Sequence, residues 1–79
     1  MSKENEFLVF VVEYYRNKKN LPGKEVVDLF DRYNIWGLAK KSYFLWHIES
    51  PDNFVREIDN YISVSNIENA TQLNDEKRG

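Results

Sequence analysis

The sequence predicts an all-α fold, a small bundle of about four helices followed by a flexible or weakly helical C-terminal tail. Three observations predict it. Apolar residues recur at spacings of three and four through most of residues 1–63. Two prolines stand where helices start, at Pro22 and Pro51. After Ser63 the chain turns polar and amide-rich, SVSNIENATQLNDEKRG, a composition with too little apolar surface to hold a packed element alone. The expected division is therefore a helical domain over 1–63 and a polar tail over 64–79.

The first helix is expected over about residues 3–18. Phe7, Phe10, Val11 and Tyr14 fall at i, i+3, i+4 and i+7, the stripe of a core-facing helix, and Ser2 is available as N-cap. Leu8, Val12 and Tyr15 widen that stripe, so more than one neighbour should cover it. Its run FLVFVV also suits a strand, but SKENE and EYYRNKK on either side continue the helical period without a turn residue. The second helix, about 22–33, opens with Pro22 at its first position and places Val26, Leu29, Phe30 and Tyr33 on one face. Asn34-Ile35-Trp36 reads as a short turn into a third helix, about 36–48, in which Ala39, Tyr43 and Trp46 form one line and Leu38 and Leu45 lie beside it. Gly37 lowers propensity there and permits a close approach. Ser50 as N-cap, Pro51 at the first position and Asp52 in the first turn start the fourth helix, about 51–63, which buries Phe54, Val55, Ile58, Tyr61 and Ile62. The predicted core is Phe7, Phe10, Val11, Tyr14, Val26, Leu29, Phe30, Tyr43, Leu45, Phe54, Ile58 and Ile62.

With 79 residues the chain is one domain with a thin core, since folding at this size removes only about 60% of the unfolded surface from water. Eleven basic and thirteen acidic residues give a net charge of -2, which offers no global attraction to nucleic acid or an anionic membrane. There is no cysteine, hence no disulfide framework and no thiolate nucleophile or zinc ligand. The six-residue run Phe7 to Val12 is far shorter than a membrane span. A soluble, cytoplasmic protein without cofactors is expected.

The lone histidine, His47, sits between Trp46 and Ile48. No second His, and no carboxylate at helical spacing, converges on it to hold a metal, and no nucleophile can be paired with it. The expectation is a partly buried ring near the end of the third helix, packed on aromatics or facing the last carbonyls. Neither GxxxxGK[ST], GxGxxG nor an EF-hand loop is present. The pairs Asp28/Asp31 and Glu57/Asp59 read as solvated helix faces. Arg16, Lys18, Lys19 and Lys24 around the first loop read as a solvated loop, with an anion- or partner-facing patch as the alternative. No enzyme is expected.

Twelve aromatics are many for such a chain, and any that remain exposed would suit a protein interface. Trp36, Trp46 and His47, with Ile67 and Leu73 of the tail's sparse apolar stripe, are the candidate partner-binding residues. Helices two and three, with Lys40 and Lys41 on the second of them, also match the outline of a helix-turn-helix, which makes a DNA-binding regulator the alternative function. Two lysines supply few phosphate contacts, so nucleic acid is not expected as a partner. A self-associating helical protein is the third reading.

The ordered pieces Val11-Val12-Glu13-Tyr14-Tyr15, Leu21-Pro22-Gly23-Lys24-Glu25-Val26-Val27-Asp28-Leu29-Phe30, Leu45-Trp46-His47 and Ile58-Asp59-Asn60-Tyr61-Ile62 resemble a family of very short bacterial helical proteins. It is catalogued as domain of unknown function family number 3791, and the resemblance spans about residues 5–63. Pro22 stands where that family often has Ser or Thr, and Trp46-His47 where it has Leu-His. The resemblance places His47 in the family pattern without giving it a role. It further implies a small protein encoded beside a larger ADP-ribosyltransferase-like protein, in the manner of an antitoxin or inhibitor beside its toxin.

Overall fold

The computed structural model describes residues 2–78, and side chains as far as Ile67. Five helices and no strand occupy the described residues: α1 (Lys3–Lys19), α2 (Gly23–Tyr33), α3 (Ile35–Lys41), α4 (Tyr43–Ile48) and α5 (Pro51–Arg78). The all-α expectation holds, with one helix more than the four expected. The extra helix comes from Ser42, whose backbone (φ -98°, ψ 6°) interrupts the expected third helix while its N–H still reaches the Leu38 carbonyl.

Local chemistry sets the boundaries. The Ser2 hydroxyl caps α1 by accepting from the Asn5 N–H at 3.1 Å, as the sequence predicts. Asn20 and Asn34 end α1 and α2 in the left-handed conformation that asparagine tolerates better than most residues. Pro22 is the N-cap of α2 and not its first helical residue, with its carbonyl accepting from Glu25 and Val26. Asn34 alone is the link to α3: after closing α2 it caps α3 by accepting from the Gly37 N–H at 3.3 Å. A Cβ on Gly37 would lie 2.7 Å from the Asn34 amide nitrogen, so the glycine makes room for that cap. Ile35, expected in a turn, is consequently helical and fully buried.

All five helices contribute to one core of Val11, Tyr15, Val26, Phe30, Ile35, Ala39, Trp46, Phe54 and Ile58. Of the predicted core, Val11, Val26, Phe30, Phe54 and Ile58 are fully enclosed, while Phe7, Tyr14, Leu29 and Ile62 pack against its edge. Tyr43 is half-buried, its ring 5.2 Å from Phe7. Two residues depart from the prediction. Leu45 is 56% exposed because the buried line of α3 and α4 runs Ile35, Ala39, Trp46, and a residue next to Trp46 is turned about 100° from it. Phe10 is 44% exposed because α1 is centred on Val11 and Tyr15, which leaves Phe10 at the margin against Phe54.

The fourth expected helix is the start of α5, which continues without a break through Ser63 to Arg78. It packs on α1 and α4, and the Tyr33 hydroxyl of α2 donates to Asn66 at 2.7 Å.

Candidate docking surface

Five aromatic side chains carry a polar handle that is held by a carboxylate or amide. The Tyr14 hydroxyl donates to Asp52 at 2.6 Å and Tyr15 to Asp59 at 2.7 Å. Trp36 Nε1 donates to Asp31 at 2.7 Å, Trp46 Nε1 to Glu57, and Tyr33 to Asn66. Three of the four acids expected on solvated faces, Asp31, Glu57 and Asp59, are therefore structural acceptors. Burying an indole or phenol leaves its N–H or O–H in need of a partner, and a carboxylate at the rim supplies one.

Two of these contacts are repeats of one device. Tyr14 and Lys18, one turn apart on α1, both reach Asp52 (Lys18 at 3.3 Å), while Tyr15 and Lys19 both reach Asp59 (Lys19 at 2.6 Å). Each lysine also lies over the ring of its own tyrosine, at 5.7 and 5.9 Å. Hydrogen bonds from Tyr14 and Lys18 hold Asp52 below the usual carboxylate range, and the same contacts push both donors up. Burial, then the bond to Asp59, pushes the Tyr15 phenol well above its ordinary value.

These pairs decide the fate of the basic cluster at the first loop. Arg16 pairs with Glu13 at 3.1 Å, and Lys18 and Lys19 with the two aspartates, so of the four cations only Lys24 is outside a described ion pair. The helix-turn-helix outline is also altered, since α3 has seven residues and follows α2 after one. Among the described residues no group of three or more His, Asp or Glu is placed to hold a metal ion, and no helix is long and apolar enough to cross a membrane.

The predicted partner-binding residues separate. Trp46 is 2% exposed and faces Phe54 at 5.4 Å; it is a core residue, not a surface anchor. Trp36 is half-buried, its ring 5.3 Å from Phe30. His47 is exposed, not partly buried. Its ring stacks on Tyr43 at 4.9 Å and meets the edge of Phe44 at 5.8 Å. Because a carbonyl only accepts, His47 Nδ1 carries the proton in its 2.9 Å contact with the Tyr43 oxygen. Ile67 is exposed, and the side chain of Leu73 lies outside the described residues.

Two concavities compete as a docking site. The larger, about 550 Å³, is lined by Glu49, Asn53, Arg56, Glu57 and Asn60. Four of these five residues already bond one another or Trp46: Asn53 donates to Glu49 at 3.3 Å, Arg56 donates to Asn53 at 2.8 Å and Glu57 accepts from the indole. The smaller, about 220 Å³, is a groove between α1, α2 and α3 lined by Leu8, Val9, Val12, Val27 and Trp36, with Glu13 as its one charged residue. Val9 (54%) and Val27 (39%) remain exposed in it. Sequence reasoning missed these valines. For Val9 the signal was the width of the apolar band on α1, which exceeds what one neighbouring helix can cover.

No curated protein and no solved structure matches this chain. The family model described as "Protein of unknown function (DUF3791)" matches residues 6–64. That span takes in α1 from Glu6 onward, α2 to α4, and α5 as far as Val64, with parts of all five contributors to the core, and the chain belongs to that family.

Proposed function

We propose that this chain is a non-catalytic protein-interaction module whose groove between α1, α2 and α3 receives an apolar helix of a partner protein. The observation that supports this reading is the groove's lining, Leu8, Val9, Val12, Val27 and Trp36. At about 220 Å³ it is smaller than the roughly 300–1,000 Å³ of a typical small-molecule pocket, and it suits one or two anchoring side chains of a helix. Trp36, fixed through Nε1 by Asp31, is a rigid wall for such an anchor. The partner class suggested by the resemblance is an ADP-ribosyltransferase-like protein encoded next to this one, with this chain acting as its antitoxin or inhibitor.

The test is co-expression with the neighbouring gene product, followed by pull-down and a growth-rescue assay. Val9→Glu and Val27→Glu change exposed side chains, so the fold should survive, and each should weaken binding by at least about tenfold, or 1.4 kcal/mol. Ending the chain after Ile67 asks separately whether the segment with Leu73 takes part. If the full chain neither binds nor protects, the antitoxin reading fails. If it binds and both valine variants bind equally well, the groove is not the interface.

A further inference from the structure

α5 outruns the bundle it belongs to. Among the described residues Ile62 is the last of its apolar side chains placed against the core, and residues 63–78 carry the helix about 24 Å farther. Val64 and Ile67 on this extension are 44% and 62% exposed. The sequence continues with an apolar residue at every third position, Ile67, Ala70 and Leu73, and Lys77 follows Leu73 by four. These are spacings that a helix collects on one face.

The groove between α1, α2 and α3 is the complement of that pattern. Its wall of Leu8, Val9, Val12, Val27 and Trp36 is apolar, and Glu13, one turn after Val9, is the one charged residue lining it. From Val9 to Glu13 is the same step of four residues as from Leu73 to Lys77. A helix laid parallel to α1 with Leu73 beside Val9 therefore brings Lys77 to Glu13. Laid antiparallel it brings no cation there, because residues 63–76 contain no Lys or Arg. Arg16 already bonds Glu13 at 3.1 Å, but that pair is exposed and three residues apart, a weak pairing that leaves the carboxylate able to accept a second cation.

The extension does not reach the groove of its own chain. α5 lies on the flank of α1 that carries Tyr14, through Asp52, and Val9 and Val12 stand about 140–160° around α1 from Tyr14. On α3, α5 passes the side where Tyr61 shares a hollow with Gly37, Leu38 and Lys41, about 100–160° around that helix from Trp36. α5 continues unbroken from there to Arg78 and does not turn back to the opposite side. We propose that the groove receives the C-terminal end of α5, residues 67–78, from a second copy of the chain. This rests on the reading of the groove as a helix-binding site, and it adds a competitor for that site: the tail of another copy. One helix end covers less than the about 800 Å² per partner of a standard interface, so the dissociation constant should be on the order of 10–1,000 μM. Tail and groove are different surfaces, so the contact is heterologous, each copy offering one of each.

Sedimentation equilibrium of the full chain over a concentration series tests this, and the mass should rise with concentration. Val27→Glu spoils the groove and keeps the tail, while Leu73→Glu spoils the tail and keeps the groove. Each should be monomeric alone with an unchanged circular-dichroism spectrum, yet an equimolar mixture should form a dimer of one copy of each and grow no further. Glu13→Lys and Lys77→Glu should each raise the dissociation constant at least about tenfold, and the double variant Glu13→Lys/Lys77→Glu should regain the native value. A full chain that stays monomeric at millimolar concentration overturns the proposal, as does a mixture of Val27→Glu and Leu73→Glu that fails to pair. The neighbouring gene product separates this from the proposed function. If Val27→Glu abolishes its binding while the mixture stays monomeric, the groove reading stands and the tail is not an occupant. If the mixture pairs and the neighbouring product binds Val27→Glu as well as the native chain, the tail occupies the groove and that partner does not.

Discussion

Tyr14 and Tyr15 are neighbours in sequence, and both hydroxyls end on an aspartate of α5, yet their environments differ. Tyr15 is 2% exposed and its phenol has been raised by burial and by Asp59, while Asp52 beside Tyr14 lies in the open and is held low by Tyr14 and Lys18. The two effects have opposite signs in pH. Asp52 favours the fold above its unfolded value of 3.8 and loses that contribution as acid titrates it. Tyr15 favours the fold fully below its unfolded value of 10.0, and the contribution is lost as pH rises beyond that, because the unfolded chain ionises where the folded phenol resists. Unfolding free energy measured by denaturant from about pH 9 to about pH 11 should therefore fall more steeply for the native chain than for Tyr15→Phe. Parallel curves would show that Tyr15 titrates freely in the folded state.

At the scale of the element, the link between α2 and α3 is a single residue with two duties. Asn34 takes the left-handed conformation that ends α2, and its side-chain oxygen caps α3 through the Gly37 N–H. Replacing Gly37 by Ala gains about 1 kcal/mol of helix propensity but drives a methyl against the Asn34 amide, which endangers a cap worth about the same. The two should nearly cancel. With Asn34→Gly in place the obstruction is gone, and Gly37→Ala should then stabilise by about 1 kcal/mol. Chemical denaturation of the four proteins of this cycle checks the coupling, and simple additivity would mean that the cap contributes nothing. Chain segments on both sides of the link depend on it, since Phe30 before it and Ile35 after it are fully buried.

Among the described residues of the whole molecule the core has nine buried side chains, and the stability expected from the chain's length is about 4–12 kcal/mol. Phe30 touches Tyr15 at 5.6 Å and Trp36 at 5.3 Å and is inaccessible to water. Phe30→Ala should lose about 3–5 kcal/mol, enough to consume most of that margin and abolish a cooperative thermal transition near ambient temperature. Phe44→Ala, at a site 70% exposed, should stay within about 0.5 kcal/mol of the native chain in dilute solution. Equal melts for the two variants would place Phe30 outside the core.

Much of this molecule is settled by local sequence. Periodicities of three and four predict helices wherever the bundle has them, Ser2 and Pro51 mark helix starts, and Val11, Val26, Phe30, Phe54 and Ile58 are core residues by spacing alone. Spacing cannot choose between adjacent apolar residues, which is why the sequence places Leu45 in the predicted core and Trp46 among the candidate partner-binding residues. The choice belongs to the neighbour: Phe54 of α5 offers Trp46 a ring to pack on, and Glu57 offers its indole an acceptor. The same holds for the acids. Asp52 and Asp59 look like solvent-facing charges until α5 lies along α1, because the tyrosines and lysines that bind them are roughly 40 residues away in the chain. The valine groove and the outward face of α4 likewise exist only once the bundle is assembled, since an apolar side chain becomes a surface feature when every neighbouring helix has been placed and none covers it.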